Sequence, residues 1–326
     1  MANCLITGGA GNLACQLSWV LAKHFERIVL LDVAAAPVGS VSPTSIFERC
    51  DLLDQEGLDA QFARHQPKVV IHLASLLSAG SELDRFRAWK VNMDGTFALF
   101  ETALRFKVGK LLFASSIAAF GGRLPKLRTD DTPQWPDGLY GVTKMAAERL
   151  GVYYQRRHGL DFRCLRLGIT VSRHAPPGAA SALASHAFIQ AVQQGEFTFR
   201  ADPDTKLALI YVRDVLRAFA ELLLAPASCL SQRVYNLSTM SVTSREIAGA
   251  IRQRLPQVRF NFQPDTDVAA LLASWPEAMD ISSANRDWGW QSEYDLDRTA
   301  DDFLAELQRE GSGFPPSELP NRKIPS

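Results

Sequence analysis

Short runs that are apolar on both faces, separated by stretches of helical periodicity, constrain this chain more than any other feature. Such runs occur at Leu5-Ile6-Thr7, Ile28-Val29-Leu30-Leu31, Val69-Val70-Ile71-His72-Leu73, Leu111-Leu112-Phe113-Ala114 and residues 162–167. A strand buried on one face alternates apolar and polar residues. A strand apolar throughout is covered on both faces, as in a parallel sheet between two helical layers. The stretches between the runs read as helices over 13–25, over about 82–106 as one long element, and over about 139–158. The expected class is α/β, with a parallel sheet and crossover helices.

The first run opens directly into Thr7-Gly8-Gly9-Ala10-Gly11-Asn12-Leu13-Ala14 and the first helix. Glycines at 8 and 11 permit a tight turn and a close approach of backbone to a pyrophosphate, while the small Ala14 lets helix and strand lie together. The unpaired N–H groups at such a helix start suit phosphate oxygens. Many ordinary strand–turn–helix units contain a glycine-rich turn, so the motif needs context. Asp32 supplies it: this carboxylate ends the second run, about twenty residues on, where it can accept hydrogen bonds from ribose hydroxyls. Residues 33–36 read Val-Ala-Ala-Ala, with no cation to neutralise a 2′-phosphate. The expected cofactor is NAD.

From about Ile169 the rhythm changes to loops at 174–180 and 201–204, a helix over 214–224, and the strand-like Arg233-Val234-Tyr235-Asn236-Leu237. The expected organisation is a doubly wound Rossmann domain over 1–168 plus about 208–237. A smaller mixed α/β substrate domain then covers 169–207 plus 238–310, and a Pro-rich tail covers 311–326.

Composition removes several functions. Lys and Arg number 35 and Asp and Glu 35 in 326 residues, so no electrostatic footprint points to nucleic acid or an anionic membrane. No apolar run reaches the roughly 20 residues that span a bilayer. The five cysteines (Cys4, Cys15, Cys50, Cys164, Cys229) are odd in number and scattered, which fits free thiols in a reducing compartment better than a disulfide framework or zinc site. A strand-like run beginning at Asn3 leaves no room for a leader, so the expected location is cytoplasmic. No His-Glu-x-x-His, Cys-x-x-Cys or Gly-x-Ser-x-Gly occurs, so no metal is expected and metal or serine hydrolysis has no signature.

Tyr140-Gly141-Val142-Thr143-Lys144 puts a phenol and an ammonium four residues apart, hence on one helical face. A phenol with a pKa near 10 is a poor base at neutral pH, and an adjacent cation is expected to bring it into range. Its phenolate could then take the proton of a carbinol whose hydride leaves to nicotinamide. Ser115-Ser116 ends a strand at the edge of the sheet where ligands sit, and a serine hydroxyl there can hold the reacting oxygen. A bare Tyr-x-x-x-Lys is common; its weight comes from the glycine turn, Asp32 and Ser116 beside it. His72, inside an apolar strand, reads as a core histidine with its ring nitrogens satisfied. His174 and His186 flank the presumed substrate loop, and Trp275, Trp288 and Trp290 read as packing.

Together these features resemble the extended short-chain dehydrogenase/reductases over nearly the whole chain. The resemblance rests on Thr-Gly-x-x-Gly-x-x-Ala at 7–14, Asp32, Asp51-Leu52, His72-Leu73-Ala74-Ser75, Val91-Asn92-Met93-Asp94-Gly95-Thr96, Ser115-Ser116, and Tyr140 with Lys144. It implies Ser116, Tyr140 and Lys144 as the catalytic set, with Ser116 chosen over Ser115 because it stands five residues before Gly121. It also implies Asp51 and Leu52 at the adenine, and Gly8, Gly11, Asn12, Leu13, Leu73, Ala74, Ser75, Asn92 and Leu167 around the cofactor. Lys144 would also hold the nicotinamide ribose. Ser78 and Ser181 join Ser116 and Tyr140 as substrate contacts. Helices near 82–106 and 139–158 would form a homodimer.

Two subgroups look most similar. Leu76-Leu77-Ser78-Ala79-Gly80 and Asp287-Trp288-Gly289-Trp290 resemble short-chain L-threonine 3-dehydrogenases, whereas 120–125 and 178–182 resemble NAD-dependent dehydrogenases of four-carbon sugar acids such as erythronate. The first subgroup carries Thr-Thr-Asp where this chain has Ala180-Ser181-Ala182, and Leu-Pro-Gly where it has Leu167-Gly168-Ile169. The expected activity is oxidation of a secondary alcohol in a small hydroxy acid or β-hydroxy amino acid, with Tyr140 as base. A nucleotide-sugar 4-epimerase or dehydratase is the alternative on the same fold, and an NAD-sensing protein without turnover is a third.

Overall fold

The apolar runs become strands of one parallel sheet. In the computed structural model, which describes residues 2–122, 124–176 and 179–309, these are β1 (Asn3–Thr7), β2 (Arg27–Asp32), β3 (Ser45–Arg49), β4 (Val69–His72) and β5 (Lys110–Ser116). Strands Asp161–Leu167 and Val234–Leu237 follow. The Pro-rich tail and Gly178 lie outside the described residues. Across the sheet the order is Val234–Leu237, Asp161–Leu167, β5, β4, β1, β2, β3, and neighbours are parallel throughout. The progression reverses between β1 and β4, so a crevice opens beyond their ends at Thr7 and His72, where ligands bind in doubly wound sheets.

Strand alternation sorts the apolar side chains onto two faces. Cys4, Ile6, Ile28, Leu30, Ile71 and Leu112 pack with α1 (Asn12–Leu21) and helix Val212–Leu224. Leu5, Val29, Leu31, Val70, Leu111 and Phe113 pack on the other side, with α2 (Gln55–His65) and helices Gly95–Arg105 and Leu139–His158. Each buried Leu, Ile or Val contributes about 1.5–3 kcal/mol, so a polar residue in either set would be costly. That is the physical content of runs apolar on both faces.

Two elements differ from expectation. β3, with the sequence Ser-Ile-Phe-Glu-Arg, is a half-buried edge strand whose charged residues hide it from hydrophobic patterning. The single helix expected over 82–106 is four pieces: Ser78–Leu83, Arg85–Trp89, a π-helical turn Lys90–Asp94, and Gly95–Arg105. Asp84 makes the first break. Its φ of −136° and ψ of 85° leave the helical region, and its carboxylate accepts the Arg87 N–H at 3.0 Å to start the next piece.

The remaining strands form smaller sheets, one of Ile169–Val171, Lys206–Tyr211 and Met240–Thr243, and two of paired strands. The apolar layer beneath α1 continues into them through Phe188, Phe199, Leu209, Ile247 and Phe303. Among the described residues no helix is long and apolar enough to cross a membrane, and the five cysteines are free.

Candidate active site

A cleft of about 730 Å³ occupies the switch point. Gly8, Gly11, Asn12, Leu13 and Asp32 line it from the β1–α1–β2 side. Asp51, Leu52, Leu73, Ala74 and Ser75 line its middle, and Tyr140, Lys144 and Leu167 its far end. Gly8 takes φ +69°, and a Cβ there would stand 2.7 Å from the Ala74 amide nitrogen, so backbone conformation and space both demand glycine. Gly11 starts α1 without a side-chain cap, which leaves the first N–H groups of the helix facing the cleft mouth. The Asp32 carboxylate accepts the Ala10 and Ala34 N–H groups, each at 3.0 Å. One bond per oxygen fixes its orientation and leaves lone pairs for two ribose hydroxyls. These residues fit a dinucleotide, with phosphates at the uncapped helix and adenosine at Asp32.

Behind the cleft a hydrogen-bond relay sets the tautomer of His72. The Thr96 hydroxyl donates to the Asn92 carbonyl at 2.6 Å, so it accepts from His72 Nε2 at 2.8 Å. His72 Nδ1 then accepts the Thr7 hydroxyl at 2.7 Å. Burial, with Lys144 nearby, pushes its pKa down to about 3, and the ring is a neutral core histidine. Asn92 is buried in the π-helical turn rather than in the cleft lining. Its side-chain oxygen accepts the Leu76 N–H at 2.8 Å, and its amide donates to the Leu76 carbonyl at 3.1 Å and to Thr143 at 3.2 Å. Asn92 thereby ties the loop at 75–76 to the helix that carries Tyr140. A π-turn inserts one residue into the helical phase and re-aims a side chain, a device frequent at functional sites.

Helix Leu139–His158 presents Tyr140 and Lys144 to the same cleft, one turn apart. The Lys144 ammonium donates to the Ala114 carbonyl at 2.8 Å and stands 5.4 Å from the Tyr140 ring centre. A Cβ on Gly141 would be 2.2 Å from the Ala118 carbonyl. Only glycine lets the helix press against the 3-10 turn after Ser116, and the Ser116 hydroxyl then bonds the phenol. Ser115 lines the cleft and donates to buried Glu148, whereas Ser116 stands outside the lining and is tied to it through the Tyr140 phenol. The expected depression of the phenol does not appear. Burial pushes Tyr140 up to about 12, with the Ser116 bond opposing, and burial brings Lys144 down to about 8. Removing the phenolate from water outweighs the Ser116 hydrogen bond.

The structure does not bring every expected contact together. Ser78 begins helix Ser78–Leu83 and Ser181 sits in the 3-10 turn Ala180–Ala182; both are exposed and outside the cleft lining. Sequence reasoning missed Phe86 and Arg87, on the helix after Asp84, and Lys90, at the start of the π-helical turn, which line the cleft. Reading one continuous helix there concealed which of its faces turns toward the crevice.

Known proteins resemble this chain over most of its length. The NAD dependent epimerase/dehydratase family matches residues 4–238. The L-threonine 3-dehydrogenase, mitochondrial, of Bos taurus is 37% identical over 296 residues, covering 90% of this chain and 79% of the bovine protein. The crystal structure of L-threonine dehydrogenase from Clostridium difficile superposes with a TM-score of 0.90 at 31% identity, covering 95% of this chain and 99% of that one. The holo form of a GalE-like L-threonine dehydrogenase from Cupriavidus necator gives 0.88 at 33% identity, covering 94% and 100%. The chain is an NAD-dependent enzyme and belongs to the NAD-dependent epimerase/dehydratase family, the extended short-chain dehydrogenase/reductases.

Proposed function

We propose that this enzyme oxidises the secondary alcohol of a small β-hydroxy amino acid to a ketone. NAD, when bound, supplies the hydride acceptor. Ser116 holds the reacting oxygen and Tyr140 takes its proton as the phenolate, a form that burial disfavours and that the Lys144 positive charge beside the ring favours. The observation that carries this reading is that Tyr140 and Lys144 face the same cleft as Gly8 and Asp32. The substrate class is supported by the activity for which the similar proteins are named. A cytoplasmic setting belongs to the same reading, supported by the five free cysteines.

The test is NADH formation at 340 nm with L-threonine, other β-hydroxy amino acids and four-carbon sugar acids. Turnover is expected with a β-hydroxy amino acid, and Tyr140→Phe should lower kcat by about 10²–10⁴-fold. Preference for a sugar acid would reassign the substrate and leave the chemistry in place. Undiminished turnover by Tyr140→Phe would overturn the mechanism.

A further inference from the structure

Tyr140, Lys144 and Glu148 form one stripe on helix Leu139–His158, at successive turns. The stripe lies along the end of β5, and each member bonds a residue of its last three. Tyr140 bonds the Ser116 hydroxyl, Lys144 the Ala114 carbonyl, and Glu148 the Ser115 hydroxyl. Glu148 is fully buried, and its carboxylate also accepts Arg166 Nε at 3.0 Å, Arg166 Nη2 at 2.8 Å and Gln134 at 2.8 Å. Arg166, itself 1% exposed, completes its bonding on the Asp130 carbonyl and Asn236 and lies 4.9 Å from the Phe120 ring centre.

A buried ion pair of this kind is costly to desolvate and seldom adds net stability over apolar residues of equal volume. Its position beneath the reaction centre suggests another use. We propose that Glu148 is a positioning residue for the reaction: its fixed negative charge keeps the Lys144 ammonium protonated and seated at β5, one turn below Tyr140. This rests on the reading of Tyr140 as the proton acceptor.

Among the described residues whose charges act on Lys144, Glu148 is the one carboxylate. From its own helix come Tyr140 and Glu148, from β4 the neutral His72, and from strand Asp161–Leu167 the Cys164 thiol, which burial holds far above its usual range. Burial lowers Lys144 while Cys164 and the Glu148 charge oppose that drop, which leaves the ammonium at about 8 and charged at neutral pH. Without that charge the desolvated amine would lose its proton near neutrality.

The experiment titrates Lys144 directly, by NMR of protein carrying ¹³C at lysine Cε, the signal assigned by its loss in Lys144→Met. In Glu148→Gln the Lys144 titration is expected to move down by about one unit or more, and kcat near neutral pH to fall with KM little changed. Because Glu148→Gln strands Arg166, the double variant Glu148→Gln/Arg166→Met is the second arm. It restores packing without an unpaired charge, and the Lys144 shift should persist in it. An unshifted Lys144 in folded double variant, or full recovery of kcat there, overturns the proposal and leaves Glu148 a packing group. Failure of the Tyr140 reading is separately visible, since Tyr140→Phe would then keep its activity whatever Lys144 does.

Discussion

Gly8 carries two constraints that a single methyl group breaks together. Alanine there would have to hold φ +69° and push its Cβ into the Ala74 backbone, which itself lines the cleft. Gly8→Ala is expected to weaken NAD binding by at least about tenfold, the equivalent of about 1.4 kcal/mol, read by fluorescence titration. The turn was legible because its glycines, Asp32 and the flanking strands sit close in sequence. His72 was legible only as a satisfied core residue, since its partners Thr7 and Thr96 are 65 and 24 residues away. Its neutrality has a consequence for stability. Unfolded, the ring takes a proton near pH 6.5; folded, it stays neutral down to about 3. Between those values the unfolded state binds more protons, so this contribution is complete above pH 6.5 and declines as pH falls toward 3, by about 1.4 kcal/mol per pH unit. Urea midpoints measured from about pH 7.5 to about pH 5 should fall more steeply in the native enzyme than in His72→Gln. Parallel slopes would mean that the ring is protonated in the fold.

At the scale of elements, hydrophobic period marks strands and helices well and says little about how a helix is interrupted. β4, β5 and helix Leu139–His158 stand where apolar patterning puts them, within a residue or two at each end. The stretch from Ser78 to Arg105 keeps helical periodicity throughout, yet Asp84 and the π-turn divide it, because the decisive bonds run from Asn92 to Leu76 and to Thr143, 51 residues away. The same is true of the Glu148–Arg166 pair: Glu148 reads as an ordinary charge on a helix until strand Asp161–Leu167 is laid beside it. Asn92→Ala should therefore act through the loop rather than through a lost cofactor contact. It leaves the Leu76 N–H without its bond, at a cost of about 1–3 kcal/mol, and frees residues 75–76 at the cleft. The expected outcome is a lower Tm together with weaker NAD binding. An unchanged NAD affinity in a destabilised protein would show that the clamp serves folding alone.

For the molecule as a whole, the outer faces of helices Gly95–Arg105 and Leu139–His158 pose the question of assembly. The two helices pack together through Phe100 and Tyr154, ring centres 5.0 Å apart, and Glu101 accepts the Tyr154 hydroxyl. That leaves Phe97 and Tyr153 half exposed on these neighbouring helices, with Trp89 47% exposed on the preceding piece. Large apolar side chains grouped on packed helices mark contact surfaces more often than ordinary solvent faces. These are also the helices that the family resemblance assigns to a homodimer. A C2 contact places the same patch of both copies face to face, so one charge introduced into it is counted twice. Sedimentation is expected to give twice the chain mass for the native enzyme and a single chain mass for Phe97→Glu/Tyr153→Glu. One chain by itself lines the cleft from Gly8 to Leu167, so the separated chains should still bind NAD. A native enzyme that sediments as single chains would assign Phe97 and Tyr153 to an ordinary surface.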